Sequence, residues 1–100
     1  DKNNIQIEGY TEDIMPLNPL PEKWKAFNWN VIEVSGHDMK ALFEAVEQAQ
    51  ASSQPSVILA QTIPGKGVKA FERNYKWHGK APSPEEAEAA IKELKEQRNA

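Results

Sequence analysis

The sequence contains no cysteine. That excludes a disulfide framework and a thiolate metal site, and leaves the redox compartment open. No apolar run approaches the ~20 residues of a membrane span, and no signal-peptide pattern opens the chain. Charge of one sign is not gathered anywhere: 12 Lys and Arg stand among 15 Asp and Glu, for a net charge of -3. Nucleic-acid binding and attraction to an acidic membrane both call for a basic face, which this pattern does not supply. Internal repeats and low-complexity stretches are also missing.

What is present is the composition of a small globular unit. Hydrophobic residues make up 39%, enough for a core, while 27% charge and a mean hydropathy of -0.71 leave much of the surface wet. A chain of 100 residues is one small domain or part of a larger one, and its core supports modest stability at best, so missing neighbours are felt. Asp1, Lys2, Asn3 and Asn4 lead straight into an apolar alternation, as expected of a chain cut from something longer.

Ile5 and Ile7 alternate with Gln6 and Glu8, which predicts a short strand ended by Gly9. Residues 10 to 21 carry Pro16, Pro19 and Pro21 and read as an irregular connection. Leu20, Trp24 and Phe27 give a short helix with one buried face, with Asn28 placed to stop it in a left-handed conformation. Val31, Ile32 and Val34 form the next strand. Met39, Leu42, Phe43, Val46 and Ala49 then repeat at helical spacing, predicting a helix over residues 38 to 51 that turns these side chains to the core, with Asp38 as N-cap. Val57, Ile58, Leu59 and Ala60 read as a strand covered on both faces. After a long loop, Ser83, Pro84 and Glu86 form a helix start with a capping box, followed by a stripe of Ala87, Ala90, Ile91 and Leu94.

The order is β-α-β-α-β-loop-α. It predicts an α/β, three-layer arrangement around a short sheet of three parallel strands with right-handed crossovers. In such sheets ligands collect at the carboxyl ends of strands.

Two segments there can carry chemistry. Thr62-Ile63-Pro64-Gly65-Lys66-Gly67 follows a strand directly; its glycines permit close backbone approach, and Lys66 can attract a phosphate. The plainer alternative is a tight strand-exit turn with a solvated lysine. His78, between Trp77 and Gly79 and flanked by Lys76 and Lys80, is a candidate hydrogen-bond partner for an anionic or hydroxylated ligand. The alternative is a surface histidine on a loop that Trp77 anchors. His37 belongs to the turn opening the central helix. Asn3 and its neighbours offer hard oxygen atoms suited to Mg2+, as many loops do.

Several of these segments resemble transketolases. Asn3-Asn4-Ile5-Gln6-Ile7-Glu8-Gly9 is similar to the segment closing the family's thiamine diphosphate motif. Lys25-Ala26-Phe27-Asn28-Trp29-Asn30-Val31-Ile32 matches an aromatic-Gly-Trp stretch, with Asn28 in place of the usual glycine. Ser35-Gly36-His37-Asp38, the Thr62 glycine loop and Trp77-His78-Gly79-Lys80-Ala81-Pro82 follow in the family's order. The likeness covers essentially the whole chain and is greatest to the N-terminal subunit of split transketolases.

The resemblance implies that residues 1–100 are the C-terminal portion of the diphosphate-binding domain, a single-domain fragment of a thiamine diphosphate-binding fold. It implies Asn3 as a ligand of Mg2+ and the cofactor diphosphate, and Ile5 as a Mg2+ ligand through its backbone carbonyl. His78 is implied to lie between the diphosphate and the donor sugar, as the catalytic and substrate-binding residue. Some family members place a cofactor-reaching lysine at the position of Pro64; Lys66 is the candidate to compensate, or else that contact is absent.

The parent activity implied is transfer of a two-carbon ketol unit from a ketose phosphate to an aldose phosphate, in a cytoplasmic enzyme. The partners implied are the remainder of the diphosphate-binding domain and a pyrimidine-binding half or subunit, in a dimer or heterotetramer. The family's upstream Gly-Asp-Gly and its cofactor-activating glutamate are not in the sequence, so the chain alone is expected to be inactive. Two other readings stand beside this one: a piece of another thiamine enzyme, such as deoxyxylulose-phosphate synthase or a 2-oxoacid dehydrogenase, and a noncatalytic interaction module derived from one.

Overall fold

The computed structural model describes residues 1–100, which divide into two compact units. The first unit comprises residues 1–3 and 15–62, the second residues 4–14 and 63–100.

In the first unit, α2 (Leu20–Ala26), β3 (Asn30–Ser35), α3 (Met39–Ala51) and β4 (Ser56–Gln61) follow one another. Pro21 sits in the first turn of α2, where its missing N–H costs no hydrogen bond. The helix ends in a Schellman motif: Trp29 N–H donates to Trp24 O, Asn28 N–H donates to Lys25 O, and Asn28 takes a φ of 64°. The Trp24 and Trp29 rings close the same turn edge to face, 4.9 Å apart. Asparagine tolerates this left-handed conformation well enough to serve where glycine is usual.

β3 and β4 pair in parallel from Asn30↔Ser56 to Ser35↔Gln61, with α3 as the crossover packed on both. Asp38 caps α3 by accepting a hydrogen bond from Ala41 N–H at 3.0 Å. The α/β class, the short parallel sheet and the order of the main elements are those the sequence predicts.

The buried face of α3 is the predicted one only at Leu42 and Ala49. Ala45 is 2% exposed, whereas Met39, Phe43 and Val46 are 69%, 66% and 46% exposed. Ala41, Leu42 and Ala49 complete the sheet-facing side as half-buried residues. Met39, Phe43 and Val46 form a separate stripe on the adjoining side, and the small alanines are the ones that permit close approach to the strands. Phe27, expected on the buried face of α2, is 76% exposed.

The expected third parallel strand is also absent from that sheet. The N-terminal residues add a single parallel bridge, Lys2↔Gln61. After it, Asn4 adopts a φ of 62°, which takes the chain out of the extended path. Ile5–Gln6 (β1) then pairs antiparallel with Gly9–Tyr10 (β2), so Ile7 lies in the hairpin turn and is 73% exposed.

The second unit holds that hairpin, a one-turn helix α1 (Thr11–Ile14) where an irregular connection was expected, a 3₁₀ turn at Tyr75–Trp77, and α4 (Pro84–Asn99). Its buried apolar side chains are Ile5, Val68 and Ala90. The capping box of α4 is complete: Glu86 N–H donates to Ser83 Oγ at 3.2 Å and Ser83 N–H to Glu86 Oε2 at 2.8 Å. No helix is long and apolar enough to cross a membrane.

Candidate functional site

In the first unit, residues 1–3 are laced along the carboxyl end of β4. Lys2 N–H donates to Ala60 O at 2.8 Å, and Lys2 O accepts from Thr62 N–H at 3.2 Å and from Gln61 Nε2 at 2.6 Å. The Asp1 carboxylate accepts from the Thr62 hydroxyl and, at 3.3 Å, from Asn3 Nδ2. Asn3 is therefore half-buried with its amide nitrogen turned to a carboxylate. A donor bound there fixes which end of the amide is oxygen.

In the second unit, Ile5 is buried at the start of the hairpin, and Thr11 N–H donates to the carbonyl of Asn4. Asn3 and Ile5 offer an amide oxygen and a peptide carbonyl, both hard donors. No group of three or more His, Cys, Asp or Glu side chains is arranged to hold a metal. Taken singly, each is an oxygen of the kind that suits Mg2+, which keeps several waters and takes few protein ligands.

The glycine loop is a tight, internally bonded turn. Lys66 N–H donates to Ile63 O and Val68 N–H to Gly65 O, while Arg73 N–H closes on Pro64 O. Gly65 and Gly67 have φ of 71° and 98°. A Cβ on Gly65 would lie 2.7 Å from the carbonyl carbon and Cβ of Phe71, so only glycine fits. Lys66 is exposed, with no hydrogen bond or ion pair at its ammonium.

His78 caps the 3₁₀ turn, its backbone N–H donating to Tyr75 O at 2.9 Å. Its side chain is exposed beside Gly79, around which there is open space. The loop is pinned on the near side by aromatic contacts. Tyr75 meets Tyr10 edge to face at 5.3 Å, Trp77 packs on Phe71 at 4.2 Å, and Lys80 Nζ lies 4.4 Å over the Trp77 ring. The expected anchoring by Trp77 is present; the Tyr75 contact gives no signal in the sequence. His37 lies in the turn between β3 and α3, as expected.

A family model for the transketolase thiamine diphosphate binding domain matches residues 1–98. The chain belongs to that family. This transketolase domain is 38% identical over 97 residues to an apulose-4-phosphate transketolase subunit of Actinobacillus succinogenes, covering 97% of this chain and 35% of that one. It is 43% identical over 98 residues to a 6-deoxy-6-sulfo-D-fructose transketolase subunit of a Clostridium species, covering 97% and 36%. Among solved structures, the transketolase of Campylobacter jejuni superposes with a TM-score of 0.84 at 35% identity, covering 99% of this chain and 15% of that one. The domain thus spans about a third of the length of these two curated relatives. The names of both mark them as parts of larger assemblies.

Proposed function

We propose that this transketolase domain is the C-terminal portion of the diphosphate-binding domain of an enzyme that moves a two-carbon ketol unit from a ketose phosphate to an aldose phosphate. Thiamine diphosphate, when bound, supplies the thiazolium that stabilises the carbanion of the transferred unit. In this reading Asn3 gives its amide oxygen, and Ile5 its backbone carbonyl, to Mg2+ at the diphosphate. The Lys66 ammonium attracts the diphosphate, and the His78 imidazole hydrogen-bonds the diphosphate and the donor sugar.

The remaining Mg2+ ligands come from the rest of the diphosphate-binding domain, and the pyrimidine-binding half comes from a further domain or subunit in a dimer or heterotetramer. The residues of this chain bind and orient; they do not activate the cofactor, so the chain alone is inactive. The parent is proposed to work in the cytoplasm, in pentose phosphate metabolism.

The observation that carries the reading is the His78 loop: an exposed imidazole without a partner, on a turn that Tyr75 and Trp77 hold in place. A side chain exposed on a pinned backbone can meet a ligand without the loop first having to be ordered. The test is His78→Ala in the complete enzyme assembled with its missing half. Loss of a hydrogen bond to a charged group, ~1.5–3 kcal/mol, lowers donor kcat/KM by roughly ten- to a hundredfold. The acceptor KM changes less. Unchanged donor kinetics in a folded variant make His78 a surface residue and favour the noncatalytic reading.

A further inference from the structure

The glycine loop is held from outside as well as from within. Helix α4 reaches it with three residues: Glu93, Leu94 and Gln97. Gln97 Nε2 donates to the carbonyl of Gly67 at 2.8 Å. The N–H of the same Gly67–Val68 peptide donates to Gly65 O at 3.0 Å, so this peptide is fixed at both of its polar ends. The preceding N–H, that of Gly67, donates to Glu72 Oε1 at 3.0 Å. The next but one, that of Lys69, donates to the Glu93 carboxylate at 3.3 and 3.4 Å. Leu94 closes the remaining side, since a Cβ on Gly67 would lie 3.0 Å from Leu94 Cδ2.

The Lys66 ammonium is exposed and without an ion pair, as are the charged groups of Lys69 and Arg73 on the same segment. A turn with two left-handed glycines has many alternative conformations, and each bond from α4 removes some of them. Gln97 is exposed and 30 residues away in sequence, so its amide serves no core.

Resting on the functional reading above, we propose that Gln97 is a positioning residue for the diphosphate loop, holding the Gly67–Val68 peptide so that Lys66 meets the cofactor's phosphate groups. Glu93 supports the same task from one turn earlier. The loop is ordered before the anion arrives, so ligand binding does not have to order it.

The test compares Gln97→Ala, Gln97→Glu and Gln97→Lys in the complete enzyme. Alanine and glutamate remove the N–H donor; lysine keeps one at similar reach. Two readouts are taken: hydrogen–deuterium exchange of the segment containing residues 66–69, and the dissociation constant of thiamine diphosphate with Mg2+. A lost neutral hydrogen bond predicts that both rise by about three- to tenfold in the alanine and glutamate variants, and that both return toward the parent value with lysine.

A merely helical role for Gln97 predicts the opposite for alanine, the better helix former. Unchanged exchange in Gln97→Ala overturns the proposal. Faster exchange with unchanged cofactor affinity also overturns it, since the loop's order then serves no ligand, and leaves the His78 test standing. A parent enzyme that binds no thiamine diphosphate removes the functional reading itself, and with it the task assigned to Gln97.

Discussion

Phe71 and Trp77 lie ring against ring, with centroids 4.2 Å apart and planes tilted by 46°. The pair joins the turn after the glycine loop to the turn before His78, so one contact shapes both segments. Trp77→Ala is expected to lower the stability of the protein by about 1–2 kcal/mol, because an aromatic pair adds ~0.5–1.5 kcal/mol to the area it buries. Urea denaturation followed by circular dichroism measures this. A midpoint equal to that of the parent would show that Trp77 does not anchor the loop.

The two glycines at Gly65 and Gly79 predict opposite responses to one added methyl group. Gly65→Ala must hold a φ of 71° and place its Cβ 2.7 Å from Phe71 backbone. Left-handed strain of ~1–2 kcal/mol and the clash add, so a loss of at least about 1 kcal/mol is expected. Gly79→Ala meets no atom within 4 Å and is expected to leave the denaturation midpoint within error. Equal effects at the two positions would contradict the turn geometry given for residue 65.

Helix α3 supplies a third comparison. Ala45→Asp places a carboxylate at a position 2% exposed, without a partner; such burial costs several kcal/mol against a total stability of about 5–10. Collapse of amide chemical-shift dispersion is expected. Phe43→Asp, at a site 66% exposed, is expected to keep the native spectrum. Loss of dispersion in Phe43→Asp and its retention in Ala45→Asp would restore the face that periodicity alone suggests.

That reversal shows where the sequence stops being informative. The starts of α3 and α4 are legible because Asp38, Ser83 and Glu86 act on backbone groups a few residues away. Asn28 is legible for the same reason. The buried face of α3 is not, since the helix carries both an alanine side and a Met39-Phe43-Val46 side, and apolar spacing cannot rank two apolar faces. The hairpin of β1 and β2 is missed because Ile5 and Ile7 alternate as a longer strand would, while the conformation of Asn4 and the pairing with Tyr10 decide otherwise. In the candidate site, His78 stands out by its neighbours, and Lys66 by its glycines. The roles of Asn3 and Ile5 rest on family resemblance, since oxygen-bearing loops are common. The contacts of Gln97 and Glu93 with the glycine loop span 30 and 24 residues, and no local pattern announces them.

The chain passes between its two compact units three times, after residues 3, 14 and 62. Synthesis from the N-terminus therefore treats the units unequally. Every residue of the first unit exists once Thr62 has been made, and the bridge between Lys2 and Gln61 can then close. The hairpin carrying Ile5 has by that time been made, while the larger part of its own unit lies beyond residue 62. Its Tyr10 ring meets Tyr75 only after the glycine loop has been formed. The order of synthesis is thus written into the connectivity: all residues of the parallel strand pair are made before those bearing Lys66 and His78. No single contiguous excision isolates that second unit, whereas residues 1–62 retain the whole of the first.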